Sequence, residues 1–307
     1  MSKRLKHDAR AYLRAMQISG SQLIVFVEGG LDRVFYDRAL DTWSSSSGPR
    51  VSVRCAKEIP GGLGGKPGLN RFFRYLRRRG RLKDETFGYA HRCLFFFDKD
   101  LDDYSRRCFR SKHVAYTPTY DLEGHLWSSL DLREGFATSC LLTRAQATTF
   151  LGNPSAWLAN ATMNWLDWVA LCLVAFDHKV DIGLSFARCS QVNTPLSGPV
   201  NQALLERDKQ LLAAAIGSGR AELEPRFLRA RRLVQTAIRT GRPLRFFNGS
   251  WLEAILEDQA RRGLTVPDAQ GNGLGSRTTT ALLARACPSK QCPTVAFVHE
   301  AANAAMR

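Results

Sequence analysis

Acidic residues are scarce in this chain: 28 Asp and Glu stand against 44 Lys and Arg in 307 residues, for a formal net charge of +16. A field of that sign attracts polyanions, nucleic acid first and an anionic membrane surface second, although a merely soluble basic protein shows the same balance. Internal repeats and long low-complexity tracts are also missing, so a repeat array is not expected. There is no G-x-S-x-G elbow for a serine nucleophile. Gly65-Lys66 in GGLGGKPG is not followed by Ser or Thr, so this is not a Walker A loop and no nucleotide-hydrolysis machinery is expected here. The N-terminal MSKRLKHDARAYLRAM is charged and lacks an apolar core. The expectation is a cytosolic chain whose eight cysteines are reduced thiols. CPSKQC, at the closest cysteine pair, has no second Cys/His pair facing it at zinc spacing, so a zinc site is not expected.

One apolar stretch is about long enough to span a bilayer. It is PSAWLANATMNWLDWVALCLVAF, residues 154–176, which carries Asn160, Asn164 and Asp167 inside. Those polar groups make spanning costly, so a buried core helix is expected and no membrane partner. Asn153-Pro154 starts it, and Trp157, Trp165 and Trp168 become core aromatics.

Continuous apolar runs predict buried strands at QLIVFVEGG, VSVRC, HRCLFFFD and HVAYTP. Helical periods separate them, in LDRVFYDRALDTW, LNRFFRYLRRRGR and DLEGHLWSSL. Strands alternating with helices imply an α/β fold with a parallel sheet. The expected organisation is an N-terminal basic helix over 1–19, an α/β domain over 20–135, and a mainly helical region over 136–307 whose last forty residues are loop-rich with one short helix.

The scarce carboxylates gather at strand ends. Glu28 closes the first long apolar run, and Asp98, Asp100 and Asp102 follow the run Leu94–Phe97 in LFFFDKDLDD. Carboxylates so close repel one another, and a divalent cation offsets that repulsion. Parallel sheets present ligands at the carboxyl ends of their strands. If the two strands are neighbours, Glu28, Asp98 and Asp100 converge, and hard oxygen donors suit Mg²⁺ and phosphodiester chemistry. Taken separately, a Glu before glycines also reads as a turn residue, and a D-x-D also reads as a solvated loop or a capping cluster.

In this order the motifs VFVEGGLDRVFYDRAL and LFFFDKDLDD resemble the TOPRIM domain of topoisomerases, primases and OLD-type nucleases, over roughly residues 20–130. The nearer resemblance is to stand-alone TOPRIM proteins of bacterial defence loci, the group of the effector of the PARIS anti-phage system. Glu28-Gly29, Asp32, Phe35-Tyr36, the aspartates of 98–102 and Tyr120-Asp121-Leu122-Glu123 carry it. FFNGSWLEAIL resembles that group's late helix start, departing from it with Ser250 where Lys is common. The resemblance implies a Rossmann-like TOPRIM domain and a Mg²⁺- or Mn²⁺-dependent nuclease. Glu28 would be a ligand or general acid/base, with Asp98 and Asp100 holding metal. Asp32 and Glu123 would complete a second site, and Asp102 would be a further ligand. It also implies bacterial anti-phage defence, cleavage of cellular RNA such as tRNA, restraint by a partner AAA- or ABC-type ATPase encoded alongside, and a homodimer. An OLD-type DNA endonuclease and a non-catalytic nucleic-acid or ATPase-binding scaffold are the alternatives.

Basic residues crowd one helix. Arg71, Arg74 and Arg78 share the face opposite Phe72, Phe73 and Leu76, without acidic company until Asp84. A solvated face is the ordinary reading of such a run, and a phosphate-backbone contact is the functional one. Arg106, Arg107 and Arg110 follow the aspartates and are placed to hold a phosphate, and Lys66 lies in the glycine loop. A second basic region runs from Arg226 to Arg245. His91 and His113 sit at strand starts, and His125 reads as a capping or packing residue.

Overall fold

The computed structural model describes residues 9–44, 48–59, 64–85, 90–139, 142–180, 198–217, 219–263 and 292–307. The start of the basic N-terminal helix, the centre of SSSSG, the first glycines of GGLGGKPG, GNGLGSRTTT and most of CPSKQC fall outside these residues. The chain forms two compact units. The first comprises Met1–Lys99, Arg107–Thr117 and Ala284–Arg307, and the second Asp100–Arg106 and Pro118–Leu283.

The first unit is a mixed α/β layer structure. Its strands are β1 (Leu23–Val27), β2 (Val51–Cys55), β3 (Lys83–Asp84), β4 (His91–Phe97) and β5 (Val114–Tyr116). β1 pairs in parallel with β2 on one side and β4 on the other. The far edge of β4 is shared: β3 pairs antiparallel with its start and β5 parallel with its end. β3 breaks the expected count of four strands. No apolar run announces it. Its Asp84 is held by Arg81 at 2.6 Å and by Gln17 at 2.9 Å.

Continuous apolar strands arise because both faces are covered. On one face Ile24, Phe26, Cys93, Phe95 and Phe97 pack with Met16 of α1 (Ala9–Ile18) and with Leu69, Phe72, Phe73 and Leu76 of α3 (Gly65–Arg78). The rings of Phe26 and Phe95 stack at 4.8 Å. On the other face the Phe96 ring stacks on Tyr36 of α2 (Gly30–Ser44) at 4.1 Å. Phe96 also meets Phe297 edge-on at 5.8 Å. Phe297 belongs to the last helix, Pro293–Met306, called α12 below.

This last helix corrects the expectation of a loop-rich end with one short helix: it runs 14 residues. Val295, Val298, Ala302 and Ala305 form its buried stripe. It belongs to the strand-bearing unit and not to the helical one. The units therefore part the chain at Lys99 and Thr117 instead of at 135, and α12 returns to the first.

The second unit is helical: α4 (Leu122–Ser129), α5 (Leu132–Ser139), α6 (Arg144–Leu151), α7 (Pro154–Asn164), α8 (Leu166–His178), α9 (Gln202–Ala215), α10 (Arg220–Arg239) and α11 (Gly249–Gly263). Side-chain caps start several of them. Thr143 and Gln146 form a capping box on α6, and Asn153 and Asn201 cap α7 and α9. The single helix expected over 154–176 is two, bent by 57°. The Thr162 hydroxyl donates back to the carbonyls of Leu158 and Ala159, which bends a helix, and the Trp165 ring turns inward against Trp251 at 5.8 Å. Among the described residues no single helix is long and apolar enough to cross a membrane, and α8 is buried through Leu166–Ala175 apart from Asp167.

Candidate functional site

β1 and β4 are neighbours, as the carboxylate reading requires. Both strands run in the same direction, so their carboxyl ends lie side by side, and there the chain places Glu28 and Asp98. The backbone N–H of Asp98 donates to Oε1 of Glu28 at 3.1 Å. Both residues are half-buried. Lys66 stands in the first turn of α3 rather than in a free loop, and its Nζ donates to the carbonyl of Asp98 at 2.6 Å. Two carboxylates and one ammonium thus sit on the sheet's carboxyl edge within the first unit.

Asp32 takes a different part. It occupies the first turn of α2, and its Oδ2 accepts the Gly29 N–H at 2.7 Å. Burial raises its carboxyl above the usual range, partly countered by the N–H groups of Gly29 and Glu28. Asp32 therefore fixes the turn that carries Glu28. The thiol of Cys55 donates to the Gly29 carbonyl at 3.2 Å and ties the same turn to β2.

Asp100 and Asp102 lie beyond the point where the chain enters the second unit. Asp100 has φ of +46°, a left-handed conformation that Asp tolerates better than most side chains. Its N–H donates to the Tyr120 carbonyl at 2.6 Å. The turn it opens is fastened within the second unit. Asp103 pairs with Arg245 at 2.7 Å, and the Tyr104 hydroxyl donates to Asp177 at 2.6 Å. Asp102 is half-buried in this turn, where its carbonyl accepts from the Ser105 hydroxyl.

Glu123 sits in the first turn of α4, close to the carboxylate of Asp121. Asp121 belongs to the motif read in the sequence, but sequence reasoning gave it no role of its own. It is buried and caps two helices at once, accepting from Gly124 N–H at 2.7 Å and Gly249 N–H at 2.9 Å. Its carboxyl is pushed well above the ordinary range, first by burial, then by the charge of Glu123, with a smaller push from Asp100. An Asp before a helix announces only a cap. The second helix it holds begins 128 residues later in FFNGSW. The two second-unit segments that carried the family resemblance therefore meet.

The donor set suits a hard cation. Mg²⁺ characteristically takes one or two carboxylates and completes its shell with water and substrate phosphates. Glu28 and Asp98 meet that demand, and Asp100 is held near Asp98 by the chain itself. Among the described residues no three His, Cys, Asp or Glu side chains form a ready cage. Of the two residues expected at a second site, Asp32 belongs to the first unit, where it caps the Glu28 turn, and Glu123 belongs to the second.

Among the basic residues, Arg71, Arg74 and Arg78 lie exposed on α3, and Arg106, Arg107 and Arg110 are exposed near the aspartate turn in sequence. Arg106 is also left-handed, with φ of +56°. His91 and His113 are buried away from the strands' carboxyl ends, and burial lowers both below the usual imidazole value. His125 is buried in α4.

No protein-family model matches the chain, and no curated protein matches it.

Proposed function

We propose that this chain is a divalent-metal-dependent nuclease of TOPRIM type. The observation that carries the reading is the parallel neighbourhood of β1 and β4, which sets Glu28 beside Asp98 at the sheet's carboxyl edge, with Lys66 on the Asp98 carbonyl. Glu28 and Asp98 would hold the ion, and the motif resemblance alone adds Asp100. The chemistry such an ion supplies when bound is Lewis-acid stabilisation of charge on a phosphodiester. Glu28 would also take or return a proton. The Lys66 ammonium offsets negative charge that builds on the phosphate, an electrostatic contribution of the kind that dominates many hydrolytic sites. Asp32 and Cys55 position the Glu28 turn.

The wider setting rests on the resemblance of the motifs alone. It is an anti-phage effector in a bacterial cytoplasm that cleaves cellular RNA, tRNA in particular, works as a homodimer and is restrained by a partner ATPase. A second reading, a scaffold that binds nucleic acid without cutting it, draws on the exposed arginines of α3 and the net charge of +16, neither of which needs a metal.

Incubating the purified protein and its Glu28→Gln variant with total tRNA and with plasmid DNA, in Mg²⁺ or EDTA, separates the readings. Discrete tRNA fragments that require both metal and Glu28 support the RNase. Cut plasmid with intact tRNA favours an OLD-type DNA endonuclease. Binding of either polymer without metal-dependent cleavage, in folded protein, sinks the nuclease and leaves the scaffold.

A further inference from the structure

The outer side of α3 forms an open groove of about 720 Å³, lined among others by Asn70, Arg71, Arg74, Tyr75, Arg78 and Arg79. No carboxylate lines it among the described residues. Arg71, Arg74, Arg78 and Arg79 are exposed. Arg71 and Arg78 are two turns apart, an axial rise of about 10 Å, which matches some three successive phosphates of one strand. A flat surface lies between them. The Arg79 guanidinium sits over the Tyr75 ring at 4.9 Å, and Tyr75 stacks on Phe72 at 6.3 Å with 15° between the rings. Phe72 is anchored in the core, so Tyr75 is held as a platform rather than as a mobile side chain.

We infer that this groove is a track for a single-stranded polynucleotide, with Arg71, Arg74 and Arg78 along its phosphates and a base laid on the Arg79 guanidinium, which the Tyr75 ring backs. The inference rests on the nuclease reading only for its purpose, since binding needs neither metal nor cleavage. Charge alone fits any polyanion. The guanidinium plane of Arg79, backed by the Tyr75 ring, fits a base face, and a base face is available only where a strand is unpaired. A groove of this size admits a nucleotide. A lipid surface is a poor match, because Leu69, Phe72, Phe73 and Leu76, the apolar face of α3, are already spent on the sheet.

Fluorescence anisotropy on the full chain in EDTA tests it. The probes are a labelled twelve-nucleotide oligo(U), the matching oligo(dT) and a duplex of equal length, with heparin as a competitor that has no bases. The single strands should bind more tightly than the duplex by about fivefold or more. Heparin should compete less well than either single strand, mass for mass. Arg74→Ala/Arg78→Ala should weaken binding by about tenfold at moderate salt and lower the slope of log K against log salt by about 1.4. Tyr75→Leu, which keeps the packing on Phe72, should erase the preference for single strands. Oligo(U) against oligo(dT) tells RNA from DNA. Duplex or heparin binding as tight as the single strands would overturn the inference, as would wild-type affinity in the arginine pair or an intact preference in Tyr75→Leu. Glu28→Gln should bind like wild type. Binding that follows these variants in a protein that never cleaves leaves the track and removes the nuclease; efficient cleavage with wild-type binding in Arg74→Ala/Arg78→Ala does the reverse.

Discussion

The N–H of Gly249 donates to the carboxylate of Asp121 at 2.9 Å, joining the first turns of two helices that lie 128 residues apart in the chain. The approach is so close that a Cβ on Gly249 would stand 2.3 Å from the Gly124 nitrogen and 2.5 Å from the Glu123 Cβ. Gly249→Ala should therefore cost about 1–3 kcal/mol, the range for forcing atoms into a filled interior. The exposed neighbour Ser250→Ala should stay within about 0.5 kcal/mol. Urea unfolding of both variants checks this, and equal midpoints would mean that the two helix starts are not in contact.

Asp121 makes a pH prediction. Its folded carboxyl titrates well above the ordinary range because it is buried and faces the charges of Glu123 and Asp100. An unfolded Asp titrates near about 3.9. The raised group contributes its stability in full below that value and loses it as pH rises through the folded one. Relative to Asp121→Asn, wild type should lose stability as pH climbs from about 4 towards neutrality. Parallel stability curves for the two proteins over that range would show that the carboxylate is not held protonated.

Asp100 stores backbone strain at the entrance to the aspartate turn, with φ of +46°. Asp100→Asn should fold as well as wild type, because Asn tolerates the same conformation. Asp100→Val should lose about 1–3 kcal/mol, since a β-branched side chain does not. If the D-x-D aspartates hold metal, both variants should also lose cleavage. Melting curves separate the strain from the chemistry, and equal melting of Asn and Val variants would argue against a left-handed Asp100.

Lys66 binds the Asp98 carbonyl from α3. Lys66→Met keeps the aliphatic stem and removes the charge. Its cleavage rate should fall by about 10²-fold or more, as for loss of one preorganised electrostatic donor, with substrate affinity changed much less. Single-turnover rates against substrate concentration read the two apart. A rise in KM at unchanged kcat would recast Lys66 as a simple binding residue.

Much of the sheet could be read in advance because it is covered on both faces. Leu23–Val27 and Leu94–Phe97 are uninterrupted apolar runs for that reason, and Glu28 and Asp98 follow as their next residues. β3 stayed hidden because its two residues are held by polar partners, Lys83 by Glu85 and Asp84 by Arg81 and Gln17, and not by an apolar pattern. The bend between α7 and α8 is invisible in a stretch whose apolar residues run on through both helices, since Thr162 back-bonding and the Trp165–Trp251 contact decide it. α12 had a start signal in Cys292-Pro293 and a stripe at Val295, Val298, Ala302 and Ala305, both overshadowed by the glycines and cysteines before it. The two-helix clasp of Asp121 is a tertiary fact with no local trace. The arginines of α3 were plain from composition, whereas the Tyr75–Arg79 plane needed the fold.

The placement of α12 also orders events in time. His299 reaches back across 257 residues to the Thr42 hydroxyl. A ribosome adding about 5–20 residues per second needs tens of seconds to cover that distance. Through that interval Tyr36 and Phe96 wait without Phe297, an aromatic face turned toward water. A nascent copy is thus unable to finish this layer on its sheet until Phe297 has been made. Synthesis itself imposes a delay, during which this face of the sheet has Tyr36 of α2 but lacks the cover that Phe297 brings.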